Sequence, residues 1–147
     1  MDASYSSVTN CNIRGGKGTW GTIIFDNGTN RVQVGVGNKA MGNVVTYGSF
    51  SGIGAYNNDG FIAIGNYSAL NGESGIKAGV GANALPSIRS TITGNQTRQN
   101  YYDGMDLLST YPATDAIASY HQVTGNTSYG NGGDGVNVDG KYSQCHW

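Results

Sequence analysis

Residues 90–107, STITGNQTRQNYYDGMDL, are followed 31 positions later by HQVTGNTSYGNGGDGVNV at 121–138. At that constant offset Thr93, Gly94, Asn95, Asn100, Asp103 and Gly104 recur as Thr124, Gly125, Asn126, Asn131, Asp134 and Gly135. Conservative pairs fill the gaps: Ile92/Val123, Thr97/Ser128, Met105/Val136, Asp106/Asn137 and Leu107/Val138. A unit this short cannot bury a hydrophobic face by itself. It has to stack on its neighbours, which is the construction of a solenoid.

Composition sets the element type. Only 12% of the 147 residues are charged, against about 25% in average proteins. Glycine reaches 25 residues, proline 2, and the only glutamate is Glu73. Helix formers are scarce, and β-branched residues punctuated by Gly and Asn dominate. The chain reads as all-β, with enough aromatics and aliphatics to fold as one domain, 1–147.

A net charge of −1 gives no global electrostatic case for nucleic acid or an anionic membrane. No apolar run approaches a membrane-spanning length, and MDASYSSVTN at the start lacks the basic and apolar regions of a signal peptide. Cys11 and Cys145 lie near opposite ends of the sequence, so a solenoid keeps them apart. Cys11 is expected to face inward from a strand over 8–13. Neither cysteine has metal-ligand spacing. Gly35-Val-Gly37 lacks the helix and lysine of a phosphate loop. No metal or cofactor is expected.

Three zones follow along the chain. Residues 7–36 hold short strand-like runs at 7–13, 22–25 and 31–36, separated by turn clusters at 14–18 and 26–30. Residues 36–85 carry a looser repeat of an aliphatic followed by Gly: Val36-Gly37, Ile53-Gly54, Ile64-Gly65 and Val80-Gly81. Residues 90–140 hold the 31-residue repeat. A bare β-helix coil takes roughly 20–29 residues, so the excess predicts a protruding loop over 109–119. Neither end shows an evident cap, which implies a fragment, an oligomer or a covering partner domain.

The segments Val123-Thr-Gly-Asn126, Asn131-Gly-Gly-Asp-Gly-Val136, Ile92–Met105 and Val8-Thr-Asn-Cys-Asn-Ile13 resemble the right-handed parallel β-helix of the pectin-lyase-like superfamily. Ile64-Gly-Asn-Tyr-Ser-Ala-Leu70 is similar to repeats of phage tail fibres and trimeric adhesin heads. Together they most resemble a bacteriophage tailspike. The resemblance implies a homotrimer in a virion tail or outside the cell, meeting a bacterial surface polysaccharide and other tail proteins. It implies recognition of that polysaccharide, with or without cleavage by a glycoside hydrolase or lyase reaction. The alternative is a non-catalytic structural or receptor-binding segment of a tail fibre or adhesin. The calcium and arginine signature of pectate lyases is not evident, and fold alone does not select an activity.

Several residues could carry such chemistry. Asp103 and Asp134 hold equivalent places one coil apart, at a spacing of about 4.8 Å, which suits a carboxylate pair or equally a turn that uses Asp to bond backbone amides. Asn100 and Asn131 are expected to form a stacked ladder. Asp106, replaced by Asn137 in the next repeat, is not a residue the architecture requires. His121 is a candidate acid/base beside Tyr120, with Arg98 placed to meet a uronic carboxylate. Tyr101, Tyr102, Tyr111, Tyr120 and Tyr129 are candidate platforms for sugar rings, or packing residues for the long loop.

Overall fold

The computed structural model describes residues 4–26, 35–79, 87–108, 120–139 and 144–146. These form a parallel β-helix, with no helical segment among the described residues. Strands Ser7–Thr9, Lys39–Met41, Ile62–Ile64, Thr91–Thr93, Gln122–Thr124 and Gln144–His146 make the first sheet. The second contains Asn12–Arg14, Val44–Thr46, Tyr67–Ala69, Gln96–Arg98 and Thr127–Tyr129, in that spatial order. The third contains Ile23–Asp26, Ile53–Tyr56, Ile76–Gly79, Met105–Leu108 and Val136–Asp139. A short fourth sheet pairs Gly35–Val36 with Asn58–Asp59, and Asp59 bridges on to Ile88.

Every pairing is parallel and each strand stacks on its counterpart one coil away. Ser7 pairs with Lys39, Lys39 with Ile62, Ile62 with Thr91, Thr91 with Gln122 and Gln122 with Gln144. The coils therefore advance by 32, 23, 29, 31 and 22 residues. The 31-residue repeat is one of these coils, in the predicted register. The sequence placed a protruding loop over 109–119. Residues 109–119 themselves, Tyr111 included, lie outside the described residues.

Strict alternation explains the core. Inward columns run Ile23, Ile53, Ile76, Met105 and Phe25, Ala55, Ala78, Leu107 on the third sheet, with Ala40, Ala63, Ile92 and Val123 on the first. Phe25 and Phe61 pack at 5.7 Å between ring centres. The small alanines leave room for these rings. On the second sheet the inward column changes from Ile13 and Val45 to Ser68, Thr97 and Ser128. Those hydroxyls are satisfied internally: Thr97 Oγ1 donates to Ser128 Oγ at 2.9 Å, and Ser68 and Ser128 donate to the Gly75 and Gly135 carbonyls.

Asparagine ladders hold the corners. Asn43, Asn66 and Asn95 each donate from Nδ2 to Oδ1 of the next asparagine, ending on Asn126, at 3.0, 2.9 and 3.0 Å. Each acceptor oxygen also takes the backbone N–H of the asparagine before it. The turn needs one left-handed residue before each asparagine. Gly42, Gly65, Gly94 and Gly125 supply it with φ near +60°, and Asn10 does so in the first coil. The predicted pair Asn100–Asn131 is the end of a second ladder that begins at Asn71, with Nδ2···Oδ1 distances of 2.9 and 3.0 Å.

Two expectations need correction. The aliphatic-Gly pairs are not equivalent positions. Val36-Gly37 ends the fourth sheet, Ile53-Gly54 lies inside a third-sheet strand, and Ile64-Gly65 forms a ladder corner; Val80-Gly81 lies outside the described residues. The repeat in this zone is Met41-Gly-Asn43 against Ile64-Gly-Asn66, at an offset of 23. Cys11 does not face the core. It replaces a ladder asparagine at the corner between the strands at 7–9 and 12–14, is exposed, and donates its thiol to the Thr9 carbonyl. Cys11 and Cys145 are both free, the first in the opening coil and the second in the last strand of the first sheet.

Candidate functional site

Among the described residues, Lys77, Glu73 and Asp106 form a cluster of charges on the outer face of the third sheet. Lys77 and Asp106 are register partners on adjacent strands, with Nζ 3.3 Å from Oδ2. Lys77 also meets Glu73 Oε1 at 2.8 Å, and Ser51 Oγ donates to Glu73 Oε2. Tyr56 flanks the group, touching the Trp20 ring edge-on at 6.0 Å between centres.

Outward-facing strand positions are ordinarily wet, yet Asp106 and Tyr56 are only 3% and 6% exposed. Burial sets their acidity. It raises the Asp106 carboxyl to about 6, against the pull of Lys77 and with a further push from Asp103. It raises the Tyr56 phenol to about 12. Burial alone would lower Lys77; its hydrogen bond to Glu73 and the Asp106 charge outweigh that and raise it. Asp106 Oδ1 is buried with no hydrogen-bond partner.

The other predicted residues separate into three places. Asp103 and Asp134 sit at the turn entering the third sheet, and Asp103 Oδ1 accepts the Asp134 backbone N–H at 2.7 Å. That carboxylate fastens one coil to the next. Tyr101 and Tyr102 lie on the same turn, exposed, with rings edge-to-face at 4.9 Å. The Tyr102 N–H bonds the Glu73 carbonyl, which joins this turn to the charged group.

Arg98 and Tyr129 occupy the outer face of the second sheet. Arg98 lies 6.0 Å from the Tyr67 ring centre and 5.8 Å from that of Tyr129, and donates to Tyr129 Oη and Gln99 Oε1. At the edge of this face Arg14 stacks over Tyr47 at 4.5 Å.

His121 and Tyr120 stand apart from both groups, at the corner entering the first sheet. His121 is fully buried in the position taken by Asn38, Phe61 and Ser90 in earlier coils, and its Nδ1 accepts the Ser90 N–H at 3.3 Å. Desolvation lowers its pKa to about 4, so the ring is neutral at physiological pH. Tyr120 instead lines a shallow cleft of about 420 Å³ with Arg89, Thr91 and Gln122. Arg89 there is held by both oxygens of Asp59. The expected His121–Tyr120–Arg98 grouping is therefore not brought together.

Arg14, Tyr47, Tyr56, Tyr67, Glu73 and Lys77 were missed. Glu73 carried a signal, being the only glutamate. Lys77 meets Asp106 at the 29-residue offset, which Gly65/Gly94, Asn66/Asn95, Asn71/Asn100 and Gly75/Gly104 mark in the sequence. No protein family, curated protein or solved structure matches the chain.

Proposed function

We propose that this chain is a receptor-binding β-helix segment of a tailspike-like protein, recognising a bacterial surface polysaccharide and acting as a homotrimer. One observation carries the reading. Tyr47, Tyr67, Tyr101, Tyr102 and Tyr129, drawn from successive coils, lie along the second sheet's outer face and the turn after it. Four of them are exposed. Tyrosine rings present flat apolar faces with a polar tip, the chemistry that stacks on a sugar ring and bonds its hydroxyls. Spread over several coils, they suit a polymer lying along the stack.

The experiment is affinity electrophoresis through gels cast with bacterial capsular and exopolysaccharides, with a parallel measurement of oligomeric mass. A polysaccharide that retards the protein, and whose effect is lost in Tyr129→Ala and Tyr101→Ala, supports the reading. Unaltered mobility across a broad panel removes it.

Cleavage is a second reading, favoured by the free oxygen of Asp106 beside Glu73. In it Asp106 donates a proton to a leaving glycosidic oxygen and Glu73 serves as the opposing carboxylate. Lys77 bridges both groups and solvent access is small, so an incoming polymer has to displace Lys77. His121, with no surface of its own, drops out of this catalytic set. Shortened polymer after incubation, abolished in Glu73→Gln, would support this reading; unchanged polymer length would leave recognition alone.

A further inference from the structure

We infer that the outer face of the second sheet is a binding strip for an acidic polysaccharide, whose anionic groups seat on Arg98 and Arg14. This names the ligand class for the recognition proposed above and rests on it.

The register places Arg14, Thr46, Ala69, Arg98 and Tyr129 in one column across successive coils. The parallel outer column is Asn12, Val44, Tyr67, Gln96 and Thr127. Neither contains an acid. Arg98 spends its described hydrogen bonds on neutral acceptors, the Tyr129 hydroxyl and the Gln99 amide. Among the described residues no carboxylate pairs with Arg98 or Arg14, whereas Lys77 is tied to Glu73 and Asp106 and Arg89 to Asp59. Two positive charges therefore stand on one face with no paired carboxylate among the described residues, in a chain whose net charge is −1.

Their setting is ligand-like. Arg98 is held between two tyrosine rings and Arg14 is stacked on a third. The rings flank each guanidinium, at 4.5 Å for Arg14 and 5.8 and 6.0 Å for Arg98, and leave hydrogen-bond donors for a planar carboxylate. The surrounding positions, Asn12, Thr46, Gln96 and Thr127, are neutral hydrogen-bonding groups of the kind that pair with sugar hydroxyls. Three inter-strand steps separate Arg14 from Arg98, or about 14 Å along the stack. A single small anion cannot touch both, whereas a chain of sugars bearing periodic carboxylates or sulfates can. The ligand then runs parallel to the helix axis, across the strands.

The test uses the full chain and a panel of capsular polysaccharides, some bearing uronic acids and some neutral, with dextran and a single-stranded DNA oligonucleotide alongside. Arg98→Gln and Arg14→Gln are the variants, with circular dichroism as the folding control. At least one acidic polysaccharide should bind. Either substitution should weaken that binding about tenfold, as loss of a charge-assisted contact does. Raising NaCl from about 50 to about 300 mM should weaken it as well.

Acidic binding unchanged in both variants overturns the inference, and so does tighter binding of the oligonucleotide. Binding confined to neutral polysaccharides and lost in Tyr129→Ala overturns the acidic assignment while leaving polysaccharide recognition standing. No binding by any polysaccharide removes both.

Discussion

Lys77 Nζ lies 3.3 Å from Asp106 Oδ2, and the two residues are direct neighbours in register on adjacent strands of the third sheet. Opposite charges facing each other across parallel strands should stabilise the stack, yet Asp106 titrates near 6 rather than below its ordinary value of 3.8. Desolvation outweighs the ion pair at this position. The pair keeps the coils in register but does not make ionisation of Asp106 favourable.

The sign of the consequence follows. The unfolded chain loses the Asp106 proton near pH 4 and the folded chain near 6, so the folded state holds more protons in between. Stability contributed by this group is greatest below pH 4 and falls as pH rises to 6, by about 3 kcal/mol in total. Asp106→Asn removes the ionisation and keeps the shape. The variant should be more stable than the parent at pH 7, and the difference should vanish near pH 4. Urea melts at the two pH values measure it; an Asn variant less stable at pH 7 contradicts the assigned cause.

The ladders set a second expectation. Asn95 Nδ2 donates to Asn126 Oδ1 and the Ala63 carbonyl, and its Oδ1 accepts from Asn66 Nδ2 and the Asn66 backbone N–H. Truncation leaves buried polar groups on both neighbouring coils. Asn95→Ala should cost roughly 2–4 kcal/mol. Asn95→Asp should cost at least as much, since a carboxylate cannot donate to Ala63 or Asn126. Asn126→Ala, closer to the solvent-exposed coil, should cost less. Chemical denaturation of the three variants ranks them.

Glycine divides into two kinds here, and substitution should separate them. A Cβ on Gly104 would collide with the Ser128 hydroxyl and the Gly135 carbonyl of the next coil. A Cβ on Gly94 meets nothing, and only its φ of +63° opposes a side chain. Gly94→Asn should cost under about 1 kcal/mol, since asparagine tolerates this conformation and Asn10 already adopts it at the equivalent corner. Gly104→Ala should cost several times more, because the neighbouring backbone must move. Equal melting temperatures for the two variants would contradict the stacking geometry at Gly104.

The fold was legible from 90 to 138, where the identities of two adjacent coils sit at one offset through all three sheets. The 31-residue offset joins Thr91 to Gln122 and Met105 to Val136 without a gap, so identities line up. Between 36 and 90 the offset changes from 23 to 29, so identities such as Gly52/Gly75 and Ile53/Ile76 at the first and Asn71/Asn100 and Gly75/Gly104 at the second share no single period. Aliphatic-Gly pairs were the louder pattern there but reflect different positions on the coil. The site suffered from the same cause. Asp103, Asp106, Tyr101, Tyr102 and Tyr129 stand in the 31-residue repeat and could be found, whereas Glu73, Lys77 and Tyr67 meet Asp106 or Arg98 through the coil before it, at an offset of 29. Burial was the other hidden quantity. His121 begins its repeat as a polar residue, and nothing in the sequence says that its corner points inward.

That buried histidine gives the last prediction, because it opposes Asp106 over the same pH range. The unfolded His121 takes a proton near 6.5, whereas the folded ring resists it until about 4. The unfolded state therefore holds more protons between those values, and stability is lost as pH falls through them, by about 3 kcal/mol. Asp106 loses a similar amount as pH rises through nearly the same window. The two slopes should largely cancel in the parent chain and emerge when either is removed. Asp106→Asn should leave a stability that climbs from pH 4 to 6.5. His121→Asn, which installs the residue found at the equivalent Asn38, should leave one that declines over the same interval. Opposite slopes in the two variants, read from urea midpoints at half-unit pH steps, establish both buried groups at once. A parent profile as steep as either variant, or two variants sloping the same way, would show that one of these side chains is open to water.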